Sequence, residues 1–69
     1  MNKTRYKNKI RVVLADKMIT KTYLAEKLDV SNMTISRWCA NTTQPSAIQL
    51  LEISKILDCK LDDLFEPFK

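Results

Sequence analysis

The chain has 69 residues, 45% of them apolar, and a formal net charge of +4. A domain of this length buries only about 60% of the surface its unfolded chain exposes, so a deep catalytic chamber is excluded and any function sits on the surface. The charge is uneven: residues 1–37 hold nine Lys/Arg against three Asp/Glu, and residues 38–69 hold three against five, the pattern of a face turned toward an anionic polymer such as nucleic acid.

There is no glycine and no Asn-Gly or Asp-Gly hairpin signal, and helical periodicity runs nearly throughout, so an all-α fold is expected. Residues 1–7 are polar and basic, a flexible arm preceding a domain over residues 8–66. The first helix is expected over about 8–17, with Asn8 as its N-cap and Ile10, Val13, Leu14 and the Lys17 stem as its inward stripe. Thr20 can cap a second helix over 21–28, with Leu24, Ala25 and Leu28 facing inward. Asp29-Val30-Ser31 breaks the pattern, and Ser31 can cap a third helix over 32–39. A polar loop, Asn41-Thr42-Thr43-Gln44, ends at Pro45. Ser46 and Gln49 have the spacing of a capping box for a fourth helix, whose expected core stripe is Ala47, Leu50, Leu51, Ser54 and Leu57. Asp62 and Asp63 open a short fifth helix containing Leu64 and Phe65, ended by Pro67, since acidic residues suit the positive N-terminal end of a helix.

The pair 21–28 and 32–39, joined by three residues, has helix-turn-helix spacing. Ala25 supplies the small residue that lets the helices approach, and Val30 and Ile35 form an apolar wedge under the turn. The face opposite Ile35 and Trp38 carries Asn32, Met33, Ser36 and Arg37. Trp38 fits a place in the core better than stacking on a base.

The stretch from Thr20 to Cys39, with Pro45-Ser46, Leu50-Leu51, Ile53, Lys55, Leu57 and Leu61-Asp62-Asp63-Leu64-Phe65 at their spacings, resembles the Cro/CI-type helix-turn-helix family, also called XRE. The resemblance covers nearly all of residues 8–66. It implies a five-helix, lambda-repressor-like DNA-binding domain and a sequence-specific regulator, a repressor, of double-stranded DNA. Carried over position by position, it implies base reading in the major groove by Asn32, Met33, Ser36 and Arg37. Phosphate contacts are implied for Lys21, Thr22 and Tyr23 at the start of the second helix and for Asn41, Thr42 and Thr43 in the loop. The Tyr23 ring has an equal alternative as a cover for its own helix. Two family glycines are replaced by Asp29 and Asn41, residue types that tolerate left-handed backbone. A family ion pair between the first and third helices is replaced by Leu14 and Cys39, expected to touch. Losing both partners together avoids a stranded buried charge.

Homodimerisation through Leu61, Phe65 and Phe68 is expected from the family and the apolar C-terminus. The same surplus, with Ile56, supports an alternative: a protein-interaction module such as an antitoxin or anti-repressor partner. An enzyme is disfavoured, because the chain has no His, no Gly-rich phosphate loop and no clustered carboxylates beyond Asp62-Asp63. No metal or other cofactor is expected, and Cys39 and Cys59 read as small buried apolar groups. No apolar run approaches the ~18 residues of a membrane span, and the first residues lack a secretory apolar core. A cytoplasmic protein, nucleoid-associated when on DNA, is expected.

Overall fold

The computed structural model describes residues 7–65. Most of the expected basic arm, and Phe68 of the expected dimer contact, lie outside them. The described residues form four α-helices: α1 (Ile10–Lys17), α2 (Lys21–Leu28), α3 (Asn32–Cys39) and α4 (Ala47–Ile56). A 3-10 helix, Leu61–Leu64, follows. No helix among the described residues is long and apolar enough to cross a membrane.

Polar side chains start three of the helices. Thr20 Oγ1 accepts the Tyr23 N–H at 3.0 Å, and Ser31 Oγ accepts that of Thr34 at 3.1 Å. At α4, Ser46 Oγ accepts the Gln49 N–H at 3.2 Å while Gln49 Oε1 accepts the Ser46 N–H at 2.8 Å, completing the capping box. The start of α1 differs from expectation. Lys9 holds the cap position without a side-chain bond, and Asn8, one residue earlier, is buried and accepts the Ile10 N–H at 3.0 Å through Oδ1.

All four helices end the same way. Met18, Asp29, Asn41 and Asp58 have φ between 54° and 61°, the left-handed region that usually selects glycine. Beyond each, the next N–H reaches back five residues: Ile19 to Leu14, Val30 to Ala25, Thr42 to Arg37 and Cys59 to Ser54. This is the Schellman pattern, in which the residue after the left-handed one packs on the helix it closes. Ile19, Val30 and Cys59 do pack against the core. Thr42 is exposed.

One core joins Ile10, Val13 and Leu14 of α1, Leu24 and Ala25 of α2, Ile35, Trp38 and Cys39 of α3, Leu50 and Ile53 of α4, and Leu57 and Leu64 beyond it. Leu14 and Cys39 are thus both in the apolar interior, on helices that contact each other. Three expectations need correction. The α4 stripe is Leu50, Ile53, Ser54 and Leu57, while Ala47 and Leu51 are exposed. The 50, 53, 54, 57 spacing is a strict helical stripe; Leu51 lies one residue off it. Ser54 tolerates burial because its hydroxyl donates to the Leu51 carbonyl at 2.7 Å. Leu28 and Cys59 are half-buried rather than interior. The last element is a 3-10 turn beginning at Leu61, with Phe65 extended. There, Asn8 and Phe65 form an antiparallel bridge, and the Lys9 N–H donates to the Leu64 carbonyl at 2.7 Å. Pairing with the N-terminal segment draws the chain out of helical geometry at that point.

Candidate nucleic-acid interface

The α2–α3 unit is built so that one face of α3 stays outside. Leu24 and Ala25 of α2 are buried with Ile35 of α3, and the turn between them is closed by the Val30 N–H on the Ala25 carbonyl at 3.0 Å. Asp29, with φ 59°, ends α2 in the left-handed region. On α3, Ile35, Trp38 and Cys39 are buried, whereas Asn32, Met33, Ser36 and Arg37 are exposed, Met33 at 62%. The four residues expected to read bases therefore share the outward face, and Trp38 is committed to the core.

Lys21, Thr22 and Tyr23 are exposed on the first turn of α2. Thr20 already satisfies the Tyr23 N–H. The Tyr23 ring faces Lys27, whose Nζ stands 5.4 Å from its centroid, a cation–π distance. The ring also lines a shallow apolar groove with Met18, Ile19, Thr20 and Ile56. This placement favours covering α2, although it leaves the ring partly exposed.

The loop after α3 divides by role. Asn41 is half-buried, and its side chain is engaged within the fold. Its Oδ1 accepts the Asn8 N–H at 2.8 Å and the Gln44 Nε2 at 3.0 Å, while its Nδ2 donates to the Asn8 carbonyl at 3.3 Å. Asn8 Nδ2 in turn donates to the Trp38 carbonyl and to Gln44 Oε1, both at 2.8 Å. Thr42 and Thr43 are exposed, with both N–H groups directed at the Arg37 carbonyl, at 2.9 and 3.4 Å. Their hydroxyls remain at the surface, whereas Asn41 serves to fix the loop. Asn8 and Gln44 were not identifiable as loop anchors from sequence, because Asn8 bonds Trp38, Asn41 and Gln44 across 30 to 36 residues.

Between α1, the start of α2 and the end of α3 lies a concavity of about 290 Å3 lined by Arg11, Lys21, Ser36, Cys39 and Ala40. Burial pushes the Cys39 thiol above its ordinary pKa, against the opposing pull of the Lys21 and Arg11 charges. Both cations therefore act at this spot. Arg11 is exposed on α1, and nothing local in the sequence marks its approach to α3.

Residues 9–69 match the sequence profile of the Cro/C1-type HTH DNA-binding domain. A Bacteroides fragilis protein to which DNA binding is ascribed is 41% identical, with a TM-score of 0.87 over 88% of this chain and 98% of that one. The DNA-binding domain of the P22 c2 repressor in solution is 35% identical, with a TM-score of 0.72 over 78% of this chain and 71% of that one. The P22 c2 repressor in complex with a synthetic operator is 36% identical, with a TM-score of 0.68 over 77% and 80%. No curated protein gives a significant match.

Proposed function

This chain belongs to the family of Cro/C1-type helix-turn-helix DNA-binding domains, and from that membership we propose that it is a sequence-specific regulator of double-stranded DNA acting as a repressor. The observation that carries the reading is the outward face of α3. Four residues suited to base edges stand exposed on a helix whose opposite side is locked into the core. Set in the major groove, Arg37 would take guanine O6 and N7, Asn32 adenine N6 and N7, and Ser36 either kind of edge, with Met33 against a thymine methyl. Lys21, Thr22, Thr42 and Thr43 would hold backbone phosphates on either side. Tyr23 fits this role less well, and the Asn41 side chain is withdrawn from it by its hydrogen bonds. The P22 c2 repressor, seen with an operator, supports a repressor's role. Such a protein acts by occupancy rather than catalysis, in the cytoplasm and on the nucleoid.

Selection of bound duplexes from a random pool tests the reading and yields the site. On the selected site, Arg37→Ala and Asn32→Ala should each cost about 1–3 kcal/mol and relax preference at one base position. Unchanged specificity in both variants would show that α3 does not read the sequence.

Two-fold dimers on half-sites about 34 Å apart are the expected form on DNA. Of the residues expected at the contact, Leu61 is exposed and available, whereas Phe65 packs against its own core. A second reading, a docking module for another protein such as a toxin or anti-repressor, draws on Ile48 and Leu51, apolar and exposed on α4. Copurification with such a partner, in the absence of duplex binding, would favour it.

A further inference from the structure

We propose that Arg11 and Lys21 form a two-cation clamp that takes a single DNA backbone phosphate in the concavity between α1, α2 and α3. The proposal rests on the DNA-binding reading above and adds to it a residue of α1 that neither the motif nor its spacing identifies. The lining is Arg11, Lys21, Ser36, Cys39 and Ala40: two cations, a hydroxyl and no carboxylate. The larger cleft of about 620 Å3 between α1 and the end of α4 is different, since it sets the carboxylates of Asp16, Asp58 and Asp63 against only Lys17 and Lys60. An anion is therefore favoured only in the first. Its volume is about ten times the ~30 Å3 share of one water, enough for a phosphodiester that keeps some of its hydration.

The position also fits. Ser36 lies both in this lining and on the outward face of α3. In a helix-turn-helix complex the second helix enters the major groove while the preceding helix crosses the backbone. The strand bordering the groove beside Ser36 then passes over the concavity. Arg11 and Lys21 come from different helices, so they approach one group from two sides. Arginine contributes a planar fork and lysine a mobile point charge.

The test is the salt dependence of binding to a random-sequence duplex, backed by phosphate ethylation interference. One neutralised phosphate contributes a slope of about 0.9 in log K against log[salt], equivalent to about an eightfold loss of affinity at ~0.1 M salt when it is removed. A shared phosphate predicts that Arg11→Ala/Lys21→Ala lowers the slope by about 0.9, and that each single substitution lowers it by less. Arg11→Lys should retain most of the slope. Ethylation of one phosphate should interfere with the unsubstituted protein, interfere less with Arg11→Ala, and lose its effect on the double variant. A fall near 1.8 in the double variant would mean two separate phosphates and overturn the clamp, as would a double-variant slope equal to that of Lys21→Ala. Arg11 is exposed, so its variants should fold, as a thermal melt checks; ethylation of the unsubstituted complex decides the matter if they do not. If the unsubstituted protein binds no duplex at all, the DNA-binding reading itself fails; if it binds and Arg11 proves silent, only the clamp does.

Discussion

Asn8 uses its main-chain N–H, its carbonyl and both side-chain polar atoms inside the fold, at 5% exposure. Through them it joins the start of α1 to the last carbonyls of α3 and to the loop that follows. Removing the side chain strands the Ile10 N–H and Gln44 Oε1 and takes one of two donors from the Trp38 carbonyl, which also accepts the Asn41 N–H at 3.0 Å. Each buried group left unpaired costs about 1–3 kcal/mol, with relief where water reaches it. Asn8→Ala should therefore cost about 2–3 kcal/mol in urea unfolding, against less than about 0.5 kcal/mol for the exposed neighbour in Lys7→Ala. Asn41 is the reciprocal case. Its φ of 61° would suit glycine, but its side chain holds Asn8 and Gln44, so residue type there follows from two demands at once.

At the scale of the helix, the repeated left-handed ending is the device that sets the α2–α3 crossing without any glycine. A non-glycine residue in that region costs about 1–2 kcal/mol, offset by the backbone bonds that close each helix. The Met18 side chain is 90% exposed, so little packing is lost with it. Met18→Gly should raise stability by about 0.5–1 kcal/mol, the relief of strain being reduced by the entropy glycine loses on folding. Asn41→Gly satisfies the same φ and deletes the bonds to Asn8 and Gln44, so it should not stabilise. The two melting temperatures, compared with that of the parent chain, separate backbone strain from side-chain anchoring. If Asn41→Gly stabilised as much as Met18→Gly, the hydrogen-bonded anchor would have no energetic role.

At the scale of the molecule, the balance of charge changes sign along the elements. The basic residues Arg11, Lys21 and Arg37 belong to the α1–α3 side that carries the candidate interface, while Glu52, Asp58, Asp62 and Asp63 are exposed on α4 and after it. A duplex would be attracted to one end and repelled by the other, which orients the encounter before any base is read. The proposed dimer belongs to the far end. Leu61→Glu should convert a sedimenting dimer to monomer and reduce operator affinity by at least tenfold through the lost second half-site; a parent chain that sediments as monomer on and off DNA would remove the proposal. The sequence by itself determined what depends on local pattern: the spans of α1 to α3 to within two residues and the start of α4, the Thr20, Ser31 and Ser46 caps, the left-handed Asp29 and Asn41, the inward Trp38 and the outward face of α3. These are legible because helical period, capping and turn chemistry act over a few residues. Only the tertiary structure decided that Asn8 anchors the loop, that Ile53 rather than Leu51 meets the core, that Phe65 is held by pairing with Asn8, and that Arg11 and Lys21 share one concavity. Each of these depends on which faces of separate helices are brought together. That is fixed by packing one shared core, not by the order of residues in any single segment.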